Sequence, residues 1–463
     1  MLRVSAACEK AGIPAVTIVC EGFARQAKAT SRGLGFAALP LSVMPGHTGV
    51  QSPDEIRHNV RQLALAQVVE GLLRTLDQTA DTAEARSGDC VFTGTFDQVN
   101  EYFYAQGWSD GLPIVPPTIE KVKRFLAFTD RDPFETLAIL LPDDRRATPW
   151  NIAVNGVMAG CSPEYMPVLM ALVEAMSDPA YGVEHSGNTP GSETLIILNG
   201  PIIKQLGFNY EQGVMRDGVR ANTSIGRFWR LYLRNVAGFK HGTTDKGTFG
   251  GTWRVVLAEN EDAVAAIGWE PQSVDMGFAT GDNVVTIGRY SGGNVIASVS
   301  GSTPETLLPY IADRILKEHS WQLTFTMGSG HGKLRPLLLL TPVLAETVAK
   351  AGWSKADLKQ YLFDHVRIPA WEFERYVLTW MDQGYATLTD AVAQGLIPEV
   401  FAESDDPQRL VPIVFAPDHF MVVVSGDPLR TNAYVFSHNG IRGFTVAKKI
   451  QLPKNWESLM PPS

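Results

Sequence analysis

The first 80 residues alternate between helical and extended patterns, and this alternation constrains the fold more than any other feature of the chain. The predicted elements are a short helix to about Ala11, a strand at 15–20, a helix at 22–31, a strand at 36–43 and a helix from Ser52. Strands connected through helices predict a parallel sheet, but two strands are too few for an independent domain. Residues 1–80 are therefore predicted to be a partial, Rossmann-like α/β segment.

Residues 81–95 are small, polar and aperiodic, which is typical of a linker. Residues 96–463 are predicted to form a larger mixed α/β or α+β body, with a division near 320–335 as an alternative. Its predicted helices are at about 117–127, 149–177, 223–236, 303–317 and 343–366. Its predicted strands are at 195–198, 253–257, 284–287, 295–299, 337–340 and 421–424. The fold class is thus α/β, a small partial parallel-sheet segment followed by a larger mixed body.

The composition is that of an ordinary globular protein, with 45% hydrophobic and 19% charged residues among 463. A net charge of −9 argues against nonspecific binding of nucleic acid or of an anionic membrane. No apolar run approaches the ~18 residues that a membrane span requires. Charges within the first ten residues interrupt the apolar stretch of a secretory signal, so we expect a cytoplasmic protein.

The four cysteines lie far apart and include no CxxC pair. Their spacing predicts neither a disulfide framework nor a zinc site. No metal is expected from the spacing, and no cofactor is identified by the sequence.

Cys161 has the most informative setting of the four. Thr148 and Pro149 predict the start of one helix and Gly160 its end, while Ser162 begins the next. A thiol at a helix amino terminus is exposed to the positive end of the helix dipole and can ionise near neutral pH. The structural alternative is a buried cysteine that only packs. If the second helix begins nearer Pro167, the thiol lies a turn away from its end.

A second cysteine, Cys20, ends the first predicted strand, and His47 follows the second strand. In a parallel sheet both would lie at the carboxyl edge, where α/β folds commonly bind ligands. A Cys–His pair is then one reading, with the imidazole as the base. The alternative is an apolar strand cysteine and a histidine that caps a backbone group.

The run from Gly107 to Thr118 predicts a tight turn that leads into a proline-fixed extended segment. Trp108, Ser109 and Asp110 lie in this turn and are candidates for a site, with Asp110 as an acid–base group. Asp before Gly is also ordinary turn chemistry.

Arg227, Arg230 and Arg234 are predicted to share one face of a helix that begins with capping residues at Asn222. Guanidinium groups in a row are suited to binding a carboxylate or phosphate. The ordinary alternative is a solvated face that is paired with acids.

Three polar, glycine-containing loops follow or precede predicted elements, at 184–191, 238–251 and 327–333. Glycine allows backbone N–H groups to approach an anion closely. The loop at 238–251 matches neither the Walker pattern nor a dinucleotide fingerprint. His185 and His241 are acid–base candidates, and His331 is a weaker one.

Several stretches resemble the large component of the UGSC-motif (seleno)protein family. These stretches are Gly107–Pro113, Ala153–Tyr165, Asn199–Pro201 and Ala221–Arg227. The run from Gly12 to Val19 and the tripeptide Glu21-Gly-Phe look like the downstream half of that family's small α/β component. The resemblance implies thiol or selenol redox chemistry.

The chain departs from that family because the tetrad Sec/Cys-Gly-Ser-Cys is absent and would precede Met1. Either another polypeptide supplies the tetrad, or the chain is a shortened or rearranged version. A partial sheet at residues 1–80 fits both, and its exposed strand edge favours a partner.

The leading hypothesis is a thiol-dependent enzyme, an oxidoreductase or lyase, that acts on a small molecule, which we expect to be anionic. Its catalytic candidates are Cys161, Asp110, His185 and His241. Its substrate-binding candidates are Trp108, Ser109, Asn155, Asn222, Arg227, Thr243, Asp245, Lys246 and His47. One alternative is a noncatalytic partner subunit that completes a UGSC-type site, and another is a small-anion-binding module. A homo-oligomer or a complex with a second chain is expected, without nucleic acid or membrane.

Overall fold

A computed structural model describes residues 2–74, 87–251, 255–328, 331–382, 384, 386–440 and 443–460. Residues 81–86 of the predicted linker, 253–254 of a predicted strand and 329–330 of a predicted loop lie outside these ranges. The described α-helices are α1 (Leu2–Lys10), α2 (Ala24–Gly33), α3 (Pro53–Asn59), α4 (Leu65–Leu73), α5 (Phe96–Ala105), α6 (Ile119–Leu126), α7 (Pro149–Ala159), α8 (Met166–Ser177), α9 (Ile202–Gln205), α10 (Arg220–Tyr232), α11 (Glu261–Ala266), α12 (Gln272–Asp275), α13 (Pro304–Glu318), α14 (Thr324–Met327), α15 (Pro342–Lys350), α16 (Lys355–His365), α17 (Ala370–Glu374), α18 (Leu388–Ala393) and α19 (Trp456–Leu459). The described strands are β1 (Thr17–Cys20), β2 (Leu41–Met44), β3 (Ala138–Leu140), β4 (Arg145–Ala147), β5 (Glu193–Asn199), β6 (Val256–Ala258), β7 (Val284–Ile296), β8 (Leu337–Leu340), β9 (Arg367–Pro369), β10 (Leu410–Pro412), β11 (Met421–Val424), β12 (Ala433–His438) and β13 (Val446–Lys449).

The amino-terminal segment has the predicted parallel pairing, with Cys20 of β1 opposite Met44 of β2. The outer edge of β2 is covered, because the Gln67 side chain accepts a hydrogen bond from the Val43 N–H (2.8 Å). Among the described strands, β1 pairs with β2 alone. One edge of this two-stranded sheet is therefore open, as a partial α/β segment requires.

The body is built on a mixed sheet of seven strands in the order β11-β8-β12-β7-β5-β6, with β13 also pairing with β7. The sheet curls until its two edge strands meet at their carboxyl ends. There the Asn260 N–H donates to the Val424 carbonyl (2.8 Å), and the Ser425 hydroxyl donates to the Ala258 carbonyl (2.7 Å). This architecture confirms the α/β class, and strands from both sides of 320–335 share the one sheet.

A buried carboxylate, Glu259, joins the two edges of the curled sheet. It accepts hydrogen bonds from the Val424 N–H (3.2 Å), the Gln272 N–H (2.7 Å) and the Asn199 amide (2.6 Å). Burial raises the pKa of this carboxyl, while Lys355 and the three donors oppose that shift. Glu259 thus replaces the ladder bonds that β6 and β11 cannot make to each other.

The apolar residues divide according to the faces of the sheet. One buried cluster takes residues from all six strands of the curl and fills its concave side: Leu195, Ile197, Val214, Leu257, Tyr290, Leu337, Leu339, Met421, Val423 and Phe436. Two larger clusters lie between the sheet and the surrounding helices, one centred on α7, α8 and α10 and the other on α13 to α18. The helices are therefore held by burial of apolar area, at about 25 cal/mol per Å².

Several predicted boundaries are corrected. The strands expected at 284–287 and 295–299 are one strand, β7. The helix expected at 343–366 is two helices, because Gly352 adopts φ 84° and Ser354 forms a new capping box with Asp357. The helix expected from about 223 begins at Arg220, so Asn222 lies within it. Helix α5 and strands β12 and β13 were not predicted.

Candidate functional site

The turn at 107–113 is fastened to helix α10 by an ion pair. Arg227 donates to both oxygens of Asp110, from Nε (3.1 Å) and from Nη2 (2.9 Å), and Nη2 also donates to the Pro113 carbonyl (2.9 Å). Their side chains are 17% and 8% exposed. Asp110 and Arg227, which the sequence offered as separate candidates, therefore lie together, but each neutralises the charge of the other.

Cys161 lies beside this pair and is buried at 4% exposure. It follows Gly160, whose φ of 83° ends α7, and it precedes a 3₁₀ turn at Pro163–Tyr165, so α8 starts only at Met166. The expected setting at a helix amino terminus is thus wrong by one turn. Burial is the main cause that raises the pKa of the thiol to about 12, against the smaller effects of Ser224, Arg220 and Arg227. A thiol in this setting stays protonated at neutral pH.

Three of the proposed substrate-binding side chains already bond to the protein. The Ser109 hydroxyl donates to the Leu112 carbonyl (2.6 Å), which is turn chemistry. Asn155 is buried and accepts from the amide of Asn235 (2.9 Å). Asn222 is also buried, and its amide donates to the Val256 carbonyl (2.8 Å). Their geometry favours a structural role, and a role in binding stays a prediction.

Trp108 packs its ring edge-on against Phe103, with ring centroids 5.3 Å apart. Its carbonyl accepts from the Asn235 amide (3.0 Å). The indole is thus packed between the turn at 107–113 and the core of the body, and it does not stand alone at the surface.

The three arginines, Arg227 and Arg230 in α10 and Arg234 just after its end, already have protein partners. Arg230 contacts Glu193 (3.2 Å) and Asp245 (3.1 Å), and these acids raise its pKa. Arg234 donates to the Gly107 carbonyl (2.6 Å). These guanidinium groups, which the sequence offered as ligands for an anion, instead hold the neighbouring loops in place.

Two of the three glycine-containing loops converge. The Lys246 N–H donates to the Gly187 carbonyl (3.1 Å), and the Thr248 N–H donates to the Thr189 carbonyl (2.9 Å). A Cβ on Gly187 would lie 2.4 Å from the Thr244 carbonyl oxygen. Glycine is needed there because the two backbones touch.

The same loop at 238–251 docks on the carboxyl edge of the β1–β2 sheet. The Lys246 ammonium donates to the Gly22 carbonyl (2.8 Å) and lies 5.9 Å from the Phe23 ring centroid. The Gln26 amide donates to the Thr244 carbonyl (3.2 Å). Loop residues Asp245 and Lys246 are therefore brought to the edge where the sequence placed Cys20 and His47.

Cys20 and His47 have local partners at that edge. The Cys20 sulfur lies 3.8 Å from the Thr48 hydroxyl, and Nδ1 of His47 accepts from the Gly49 N–H (3.1 Å). This histidine is a cap of a backbone group, as the alternative reading had it. The Glu21 carboxylate accepts from the Gly46 N–H (3.3 Å), so it joins the two strand ends and is a polar group that sequence analysis missed.

Two further histidine candidates, His185 and His241, lie on these two loops, whereas His331 lies on the third loop and is half-buried. Nε2 of His185 lies 3.8 Å from Glu184, which also pairs with Arg3 of α1 (3.3 Å). His241 is exposed and forms an isolated bridge with Asp245, and the Thr243 hydroxyl donates to the Lys240 carbonyl (2.9 Å). The candidates thus divide into two groups. One lies on the turn at 107–113 and on α7 and α10, with Cys161 close to Arg227. The other, which we call the junction site, lies along the carboxyl edge of β1–β2 and the loops at 184–191 and 238–251.

Comparison with known proteins gives a match for the segment that contains β1 and β2. Residues 1–74 match the model of the UGSC family. We call residues 2–74 the UGSC-like segment. Neither the curated proteins nor the solved structures include a match to the chain.

The described helices include none that is long and apolar enough to cross a membrane. Within the same residues, no group of three or more His, Cys, Asp and Glu side chains is arranged to hold a metal ion.

Proposed function

We propose that this chain is one component of a UGSC-type assembly in which thiol or selenol chemistry acts on a small molecule. The chain supplies the UGSC-like segment and the wall of the junction site, and a second polypeptide supplies the reactive tetrad. The observation that carries this proposal is the open edge of β1, in a segment that matches the UGSC family.

The orientation of β1 supports a strand or loop of a partner at its edge. The Thr17 N–H donates to the Pro40 carbonyl on the β2 side (3.1 Å). Because successive backbone groups alternate along a strand, the N–H groups of Ile18 and Cys20 point away from β2. An unpaired strand edge is a template for pairing with another chain.

Exposed apolar side chains of the UGSC-like segment support a partner of protein character. Ile18 is 48% exposed. Ala64, just before α4, and Gln67 and Gly71 of α4 face the sheet, and the opposite face of α4 carries an exposed apolar stripe. The stripe consists of Leu65, Val69, Leu72 and Leu73. Spacings of four and seven place three of these on one side of the helix. A stripe of this kind is stabilised when a partner buries it.

The junction site supports the choice of a small substrate. Lys246 supplies a cation and Asp245 and Glu21 supply carboxylates at a strand edge of the type that binds ligands in α/β folds. His47, His185 and His241 are the groups from which an acid–base partner would be drawn.

Catalysis by Cys161 is the less favoured proposal, because its sulfur is buried and its pKa is about 12. An anion-binding module based on Arg227 is also less favoured, because Asp110 already occupies its guanidinium. A cytoplasmic location and a homo-oligomeric state stay predictions.

The test is co-expression with the polypeptide of the same source that carries a Sec/Cys-Gly-Ser-Cys tetrad. Ile18→Pro removes an N–H that points away from β2, and proline is tolerated at such an edge position. Ile18→Thr is the matched control, because it reduces apolar area but keeps the N–H. We expect the wild type and Ile18→Thr to bind the partner, and Ile18→Pro to bind at least about tenfold more weakly.

Equal melting temperatures of the two lone variants would show that both keep the fold. The proposal is wrong if Ile18→Pro binds as tightly as Ile18→Thr. It is equally wrong if the lone wild-type chain is a monomer with thiol-exchange activity.

A further inference from the structure

Helix α17 continues past Glu374 into a π-helical turn, Arg375–Trp380, and this surface helix carries two exposed tryptophans. Trp371 is 38% exposed and Trp380 is 56% exposed. Trp371 lies four residues before Arg375, and Trp380 lies five residues after it. A turn of α-helix aligns residues about four apart, whereas the wider π turn aligns residues five apart. Both indoles are therefore brought to Arg375, and we call these three residues the Trp–Arg–Trp face.

The guanidinium of Arg375 lies against both indole rings. Its central carbon is 5.0 Å from the ring centroid of Trp371 and 4.5 Å from that of Trp380. The Trp371 ring is fixed in turn, because its Nε1 donates to Oε1 of Gln408 (3.1 Å). The Trp380 ring packs edge-on against Tyr376, with centroids 4.9 Å apart. Cation–π contacts thus hold the guanidinium in place without a hydrogen bond.

The side-chain donors of Arg375 have no hydrogen-bond or ion-pair partner in the part of the chain that the structure describes. Nε is enclosed and unpaired, whereas the two terminal nitrogens are open to solvent. The adjacent acid, Glu374, instead accepts from the Leu388 N–H (2.8 Å). The arginines of α10 differ, because Arg227 and Arg230 are each paired with an acid. An anion at the terminal nitrogens would supply the counter-charge that the protein does not.

A groove of about 350 Å³ lies along the same side of the helix. Its described lining consists of Trp371, Glu374, Arg375, Leu378 and Thr379. Spacings of three and four residues place these side chains in one row. Trp371 and Leu378 are apolar and Arg375 is the cation, so the groove suits a ligand with an anionic end and an apolar body. Glu374 disfavours a second negative charge on that ligand.

We propose that the Trp–Arg–Trp face binds the carboxylate of a small organic acid that has an apolar body. The terminal nitrogens of a guanidinium present parallel N–H donors, which fit the two oxygens of a carboxylate. The apolar body lies along Trp371 and Leu378 and removes their exposed area from water. The site is independent of the proposed UGSC-type function, since it uses no residue of the junction site or of the UGSC-like segment.

The test titrates the full chain with phenylacetate, acetate and benzyl alcohol, at constant ionic strength and about pH 8. Phenylacetate has both the charge and the ring, acetate has the charge alone, and benzyl alcohol has the ring alone. We expect saturable binding of phenylacetate, about tenfold or more tighter than that of either other probe. Arg375→Gln should weaken it about tenfold or more. The matched control, Arg57→Gln, removes an exposed arginine that pairs with Asp54 and should leave binding unchanged.

A measurement on the wild type covers the case in which Arg375→Gln does not fold. In ¹H–¹⁵N spectra, phenylacetate should shift the signals of the Arg375 Nε–H and the Trp380 indole, while the indole of Trp229, which is 1% exposed, stays unchanged. The proposal is overturned if phenylacetate shows no saturable binding up to about 10 mM. It is also overturned if acetate or benzyl alcohol binds as tightly, if Arg375→Gln retains full binding, or if both signals stay unshifted.

Discussion

The protonation of Cys161 gives the sharpest prediction, because it separates a thiol enzyme from a structural cysteine. Burial raises the pKa of this thiol from 9.0 to about 12. At about pH 8 the thiolate fraction is then about 10⁻⁴, compared with about 10⁻¹ for the unperturbed thiol. Because the thiolate is the nucleophile, alkylation should be about a thousandfold slower from this effect alone. Steric burial slows it further.

The assay is alkylation by iodoacetamide across a pH series, with modification at each cysteine followed by peptide mass spectrometry. Cys90 is the internal control, because it is exposed in the same chain. We expect Cys90 to react readily in the native protein. Cys161 should react only at the rate of unfolding, and addition of denaturant should make the two cysteines equivalent.

Rapid native labelling of Cys161 with an apparent pKa below about 8 would refute this reasoning. It would mean that the sulfur is accessible and stabilised as a thiolate. The thiol-dependent enzyme centred on Cys161 would then be the favoured function.

Three further predictions concern stability. The raised folded-state pKa of Cys161 contributes stability that is fully present below about pH 9 and is lost toward about pH 12. The unfolding free energy relative to Cys161→Ala should therefore fall by about 0.8 kcal/mol between about pH 8 and pH 9.5, as measured in urea, and a flat difference would contradict the shift. Asp110→Asn leaves Arg227 half-buried without its anion and should cost about 2–4 kcal/mol, whereas a cost below about 0.5 would mark an ordinary surface pair. Glu259→Gln turns an NH₂ group toward N–H donors and should lower the unfolding free energy by about 3 kcal/mol, with a matching drop in melting temperature. An unchanged unfolding free energy would mean that the contact between the two sheet edges does not stabilise the fold.

The sequence was sufficient where structure is set locally. The alternation of residues 1–80 predicted the β1–β2 pairing, and the buried runs at 337–340 and 421–424 are strands with those bounds. Thr148 and Gly160 delimit α7 through a capping box and a left-handed terminus, both of which depend on residue type alone.

The sequence was insufficient where contacts between residues far apart in the chain determine the structure. The strands predicted at 284–287 and 295–299 are continuous in β7. A Cβ on Gly293 would lie 2.6 Å from the Val435 carbonyl oxygen, so glycine there serves the close approach of β12. The meeting of β6 and β11 depends on Glu259 and Val424, which are 165 positions apart. No local pattern encodes such a contact.

The candidate site shows the same limit. The polar residues of the turn at 107–113 and of α10 were recognised by type, and the structure brings them together. Residue type could not show that Asp110 and Arg227 would neutralise each other, or that Cys161 would be enclosed.

Amide hydrogen exchange in β1 tests the central claim most directly. In the lone chain the account predicts rapid exchange at Ile18 and Cys20, whose N–H groups point away from β2, and slower exchange at Val19, whose N–H points toward it. Addition of the tetrad polypeptide should protect Ile18 and Cys20 specifically. Strong protection of both amides in a lone monomeric chain, or no change on addition of the partner, would contradict the account.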